Sequence, residues 1–358
     1  LLFYSNLYNK NTPSRLRVPP ELTSAIMSVS KLIIVIGATG NQGGSVVDTF
    51  LKQPDWQVRA ITRNLSSAKS QSLADHGVEV VEADLNVAET LLSAFEGAHA
   101  IFVVSNYVQI LMDLASQNRP GPAQDLQALA SECETQYLCN AIEAAAKIST
   151  LERFIVSSLP HIAKWSGRKY TNVWHWDSKA RAAEYVKRQH PDLWAKTSIL
   201  EGGWFLQNYI NYPFFGPVKQ SDGSVHFNTT MKPTQKLPFV AAEEDTGPIV
   251  KALVEGEPGK HVIGYRELIS QQELVDIFAR VTGLASKLVK VSHDDFFAKV
   301  PPNLRVPLHE SLAFIEEFGY TGGDPSVVPP EDIKPLPSLR SIADYFAKQP
   351  WAEVLASE

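Results

Sequence analysis

Five consecutive apolar residues, Leu32 to Ile36, contain no polar position and are mostly β-branched, which predicts a strand buried on both faces. From Ser45 to Phe50 the period changes, and apolar and polar positions fall at helical spacing. That exchange recurs along the chain. Residues 57–62, 78–82, 100–104, 153–156 and 197–200 read as strands, and 66–74, 88–95, 125–147 and 178–188 as helices between them. Strands alternating with helices predict a parallel, doubly wound sheet joined by right-handed crossovers. A polar stretch with Pro and Gly, residues 116–124, follows the fourth strand. Beyond Glu201 the alternation lapses, and aromatics, Pro and Gly crowd residues 204–217. Ser270-Gln-Gln-Glu273 then forms a capping box before the apolar stripe Leu274, Ile277, Phe278 and Val281. A Pro-rich stretch, 325–337, leads to a last helix at 339–348.

The expected organisation is therefore α/β. A doubly wound domain spans 30–200, and a smaller, less regular C-terminal α/β lobe for a substrate or partner spans 201–358. Ligands of such sheets bind at the carboxyl ends of the strands. Residues 1–29 stand apart. The first 26 lack either periodicity, and Met27 directly precedes the first strand's approach, SVSKLIIVIG. They read as a disordered extension or an upstream-translated leader rather than a targeting segment, having no apolar h-region and no convincing amphipathic helix.

Composition narrows the class only a little. The chain has 358 residues, a net charge of −6, 44% hydrophobic and 20% charged residues, the mix of a globular protein. A mildly acidic chain gives no electrostatic ground for direct nucleic-acid binding. No apolar run approaches the roughly 20 residues that cross a bilayer, so no membrane partner is expected. The two cysteines, Cys133 and Cys139, make neither a metal nor a disulfide pattern, which points to a reducing compartment: the cytoplasm, with the nucleus as a second place of work.

The turn after the first strand carries chemistry. Gly37, Gly40 and Gly43 are spaced three apart between strand and helix, the context in which such a pattern means a Rossmann dinucleotide site. The first glycine allows the tight turn. The second admits a pyrophosphate to the backbone, and the third lets the helix pack close. Thr39, Asn41 and Gln42 lie between and beside them and are read with the loop as cofactor-binding. The new helix offers free N–H groups and a positive dipole end to phosphate. At the end of the second strand, where NAD sites place an acid for the ribose hydroxyls, stands Arg63 in Ile61-Thr62-Arg63-Asn64, with Lys69 beyond. A guanidinium suits a 2′-phosphate, so the expected cofactor is NADP(H).

Taken together, GATGNQGGSV, ITRN, Ala83-Asp84-Leu85, Ser105-Asn106-Tyr107, RFIVSSLP, HWDSKARAAEYV, TSILEGGWFLQNY and KLPFVAAEEDTGP resemble the NmrA-like family of atypical short-chain dehydrogenases, over roughly residues 30 to 300. The resemblance implies that Asp84 and Leu85 lie near the adenine and that Asn106 and Tyr107 lie along the cofactor. It implies that Lys179 reaches the nicotinamide ribose and that Gly202 to Phe205, Trp204 among them, border the nicotinamide. It also implies one of two roles: reductase of a small molecule, or NADP(H) sensor acting through a regulatory protein.

Dehydrogenases of this clan use a Tyr four residues before a Lys, with a Ser on the fifth strand. Lys179 is present, and Ser157 and Ser158 end the fifth strand, but the position four before Lys179 is His175, and Tyr170 is out of register. Three readings stay open. His175 is a substitute acid with a pKa near the working pH, Lys179 is itself the acid–base group, or both only bind cofactor or cap a helix. The aromatics Trp204, Phe205, Tyr209, Tyr212, Phe214 and Phe215 either line a pocket for a flat substrate or form core. Glu243, Glu244 and Asp245 read as the solvated cap of a helix beginning near Thr246. The leading expectation is an NADPH-dependent oxidoreductase acting on a small organic substrate, possessing no metal. The alternative is a non-catalytic NADP(H) sensor.

Overall fold

A computed structural model of the chain describes residues 30–117 and 123–356. The expectation for the leader, residues 1–29, lies outside the described residues, as does most of the polar stretch at 118–122.

In chain order the elements are β1 (Lys31–Ile36), α1 (Asn41–Phe50), β2 (Trp56–Thr62), α2 (Ala68–Asp75), β3 (Glu79–Glu82), α3 (Ala88–Ala94), β4 (Ala100–Val103) and α4 (Tyr107–Ser116). There follow α5 (Ala123–Ala145), β5 (Arg153–Ser158), α6 (Ile162–Trp165), α7 (Trp174–Gln189), α8 (Pro191–Trp194) and β6 (Thr197–Gly202). The rest comprises β7 (Trp204–Phe205), α9 (Asn208–Asn211), β8 (Val218–Lys219), β9 (Val225–Thr229), β10 (Lys236–Val240), α10 (Ala242–Glu255), β11 (His261–Gly264) and β12 (Glu267–Ser270). Then come α11 (Gln271–Thr282), β13 (Ser286–Lys290), α12 (His293–Ala298), α13 (Pro302–Phe318), β14 (Val327–Val328), α14 (Ile342–Phe346) and α15 (Trp351–Val354).

Eight strands form one sheet in the order β14-β11-β6-β5-β4-β1-β2-β3, with every neighbouring pair parallel. Residues alternate across β1. Ile33 and Val35 pack with Val46, Val47 and Phe50 of α1 on one face, while Ile34 and Ile36 pack with Leu138 and Ile142 of α5 on the other. Because both faces are covered by helices, the central strands β1 (after Lys31) and β4 are apolar and buried, as the sequence pattern required, while the edge strand β3 carries an exposed Glu at each end.

The division at residue 200 is not a division of the sheet. The chain beyond Glu201 returns to it twice, as β11 beside β6 and β14 beside β11. Before β11, α10 packs directly on α1. Gly247 lies so close that a Cβ there would stand 2.1 Å from the Ser45 carbonyl oxygen, and its N–H donates to Ser45 Oγ at 2.9 Å. What lies outside the sheet is an aromatic core built from Trp204, Tyr209, Phe227, Phe239, Phe278 and Phe346, with two three-stranded sheets, β12-β10-β7 and β13-β9-β8. The acidic run of α10 is not a solvated cap either. Asp245 is buried and takes two hydrogen bonds from Arg266, at 2.8 and 2.7 Å, because an otherwise unpaired buried guanidinium would be costly.

Candidate functional site

All six leading strands end at one edge of the sheet, and the residues singled out from the sequence follow those ends. β1 and β4, the central neighbours, run into connections on opposite sides, which opens a crevice at this edge.

The glycine loop leaves β1 at Gly37, where φ is +79° and a Cβ would stand 2.5 Å from Val104 Cγ1. At Gly43 a Cβ would stand 2.2 Å from the Gly37 carbonyl oxygen, so the first turn of α1 touches the loop that precedes it. Gly40 caps α1 with no side-chain hydrogen bond, and the first turn has no acid. The helix start therefore keeps its donors and its positive dipole end for a ligand. Gln42 is fixed from below, its Oε1 accepting from Ser157 Oγ at 2.8 Å. Lys69, in the first turn of α2, donates to the carbonyl of Thr39 at 3.0 Å and so stands at the loop. Asn41 opens α1. Donors on one side and two cations, Lys69 and Arg63, nearby are the chemistry that dinucleotide phosphates need, and these residues fit that group.

Arg63 follows the last residue of β2 and lies near Asp113 of α4. After β3, Asp84 is occupied locally, accepting the Asn86 N–H at 2.9 Å, while the Leu85 carbonyl accepts from Asn140 at 2.8 Å. After β4, Asn106 is the exposed N-cap of α4, accepting the Gln109 N–H at 3.1 Å. Tyr107 turns inward instead. Its hydroxyl donates to the Gln127 carbonyl at 2.9 Å, and burial, followed by the charge of Glu134, pushes its pKa up.

Lys179 and His175 occupy successive turns of α7, which begins at Trp174, one turn earlier than its polarity suggested. Lys179 donates to Glu134 Oε1 at 2.6 Å and to the His175 carbonyl at 3.4 Å. Glu134, in α5, is fully buried. Its carboxylate also accepts from Ser105 Oγ at 2.7 Å and, at short range, from Ser178 Oγ. One carboxylate thus binds residues from β4's end, α5 and α7 into one charged, satisfied cluster. Glu134 escaped notice in the sequence. The signal was there: it interrupts the apolar stripe Ala130, Leu138, Ala141 at helical spacing.

His175 stacks obliquely on Tyr107, ring centroids 5.7 Å apart. Burial, and then the neighbouring Lys179 charge, lowers its pKa to about 3. A shift in this direction favours the neutral imidazole over the imidazolium. The aromatics divide between core and surface. Trp204 is buried edge-on to Phe215 at 5.2 Å, and Tyr209 packs on Phe227 and Phe239. Trp204 and Tyr209 are core, Phe214 and Phe215 pack half-buried against it, Phe205 is half-buried and Tyr212 is exposed. Beside them the backbone is tight. Tyr320 donates to the Gly202 carbonyl at 2.9 Å, and a Cβ on Gly203 would stand 2.2 Å from the Pro238 oxygen. Among the described residues, no group of three or more His, Cys, Asp or Glu has metal-ligand geometry, and no helix is long and apolar enough to cross a membrane.

Known proteins fit this arrangement. An NmrA-like family domain-containing oxidoreductase of Aspergillus hancockii is 30% identical over 268 residues, covering 72% of this chain and 74% of its own. Among solved structures, NmrA, a negative transcriptional regulator, shares the fold in complex with NADP (TM-score 0.64, 20% identity, 92% of this chain and 98% of that one). It does so too in complex with NAD (TM-score 0.65, 21% identity, the same coverage). The profile of the NmrA-like family matches residues 29–346, nearly the whole of the described structure, and the chain belongs to that family.

Proposed function

We propose that this chain is an NADP(H)-dependent oxidoreductase acting on a small organic molecule, with Lys179 as its central polar group. The observation that carries this reading is the Lys179–Glu134–Ser105 cluster: an ammonium held by a buried carboxylate at the carboxyl edge of the sheet, one helical turn from a neutral imidazole. The names of the relatives support it, since one is called an oxidoreductase and another was solved with NADP. When bound, NADP(H) supplies or accepts the hydride. Gly37, Thr39, Gly40, Asn41, Gln42 and Gly43 hold its phosphates, with Arg63 and Lys69 adding charge and Asp84, Leu85, Asn106 and Tyr107 flanking it. Ser157 supports Gln42 from beneath, and Gly202 borders the site with the backbone of Trp204, whose ring belongs to the core. Lys179 orients the ribose and carries a proton that Glu134 keeps in place. The neutral His175 serves as a hydrogen-bond donor to substrate rather than as an imidazolium acid. We assign this work to the cytosol, on the spacing of its two cysteines, which makes neither a metal nor a disulfide pattern.

The test is oxidation of NADPH, followed by its absorbance, against panels of ketones, enones and quinones with wild type and Lys179→Met. The expected result is turnover of at least one class and its loss in the variant. Full turnover by the variant would remove Lys179 from proton transfer.

A second reading has one observation in its favour. Four of the six aromatic residues expected to line a substrate pocket, Trp204, Tyr209, Phe214 and Phe215, pack in or against the core, which suits a dinucleotide sensor that contacts a regulatory protein. Tight NADP(H) binding without turnover across the whole panel would select it.

A further inference from the structure

Arg63 already has a partner. Its Nη1 stands 3.5 Å from Asp113 Oδ2, with 57% and 52% of the two side chains exposed. Asp113 is oriented from its own helix, its Oδ1 accepting from Gln109 Nε2 at 2.7 Å. Tyr137 of α5 faces the same space. Its pKa is raised by burial first, and then by Cys133, Asp84 and Asp113, while Arg63 opposes them. Arg63, Asp113, Asp84 and Tyr137 therefore surround one region at the end of β2 and β3. Lys69, the other nearby cation, is turned to the Thr39 carbonyl.

We propose that Asp113 is a specificity-determining residue for the dinucleotide: it competes with a 2′-phosphate for Arg63 and so narrows the preference for NADPH over NADH. The inference rests on the NADP(H) reading above. A phosphate that engages Arg63 must displace the Asp113 carboxylate from the guanidinium. A ribose that carries only hydroxyls pays no such cost, because carboxylates accept hydroxyl hydrogen bonds. The acid that NAD sites usually place after the second strand is absent there, and α4 delivers one from elsewhere in the chain.

The test is equilibrium titration of the purified chain with NADPH and with NADH, followed by tryptophan quenching, at low and at high salt. Wild type is compared with Asp113→Asn, Arg63→Ala and the double variant. Asp113→Asn should tighten NADPH about 2- to 5-fold, the range a half-exposed charge pair is worth, while leaving NADH within about twofold. The gain should shrink at high salt. Arg63→Ala should weaken NADPH by about tenfold or more, and in the double variant the gain from Asp113→Asn should vanish. Asp113 lies on the surface, so folding is not at stake, and a thermal melt confirms it. An unchanged NADPH-to-NADH ratio in Asp113→Asn, or the same gain without Arg63, overturns this inference alone. Failure of wild type to bind either dinucleotide overturns the cofactor reading itself.

Discussion

Two ion pairs stand at one edge of one sheet and are opposite in kind. Arg63 and Asp113 meet at 3.5 Å with more than half of each side chain in water. Lys179 and Glu134 meet at 2.6 Å, with 10% and 0% exposed. Water screens the first pair, so it is worth at most about 1 kcal/mol and either member can change partners when a ligand arrives. The second has given up its hydration and is held by two serine hydroxyls as well. Removing one member would leave a bare charge in the interior. The difference teaches that the same chemical pair serves two purposes. After β2 it is adjustable and suited to selecting a ligand; at Lys179 it is fixed and suited to holding a group still.

The contrast breaks most readily at Glu134. Glu134→Ala should cost about 3–5 kcal/mol in urea unfolding, because Lys179 is stranded. Adding Lys179→Met should recover most of it. A loss below about 1 kcal/mol would mean that the buried pair is no more consequential than the exposed one. Next comes the glycine loop. Gly43→Ala puts a Cβ 2.2 Å from a backbone oxygen that cannot step aside, so it should cost about 1–3 kcal/mol and abolish dinucleotide binding in the same titration. Retained binding with unchanged stability would refute the close packing.

His175 offers a smaller, pH-dependent effect. Its pKa falls from 6.5 to about 3 on folding. Below pH 6.5 the unfolded chain therefore binds a proton that the native state does not, and stability falls as the pH falls. Between pH 6.5 and 4.5, wild type should lose up to about 1.4 kcal/mol per pH unit more than His175→Gln, measured by urea unfolding at each pH. Parallel curves for the two proteins would show that the imidazole is not dehydrated. Smallest of all, Asp113→Asn should change stability by less than about 0.5 kcal/mol while still moving NADPH affinity. A loss of several kcal/mol would give the exposed pair the character of the buried one.

What could be read along the chain was whatever repeats locally. The apolar run of β1, the glycine spacing and the capping box at Ser270 each lie within a few residues, and each formed as expected; the last has both of its reciprocal hydrogen bonds. Helix α4 was missed because its buried stripe, Tyr107, Ile110 and Leu114, spans only two turns beside a polar stretch. The strands β11 and β14 were missed for a related reason: with four and two residues they are too short for a period to declare itself. Asp245 looked solvated because three adjacent acids look alike in sequence, and only Arg266 singles one of them out.

The sequence by itself determined the alternation of strands and helices from β1 to β6, α4 apart, together with the loop with its three glycines, the cation after β2 and the lysine four residues past a histidine. It did so because period and spacing are properties of neighbouring residues. Only the tertiary structure decided that Glu134 holds Lys179 across 45 positions, that Asp113 faces Arg63, and that Trp204 and Tyr209 are core. Those outcomes depend on which faces of distant helices meet and which charges are thereby taken from water. A chain carries no local mark of either.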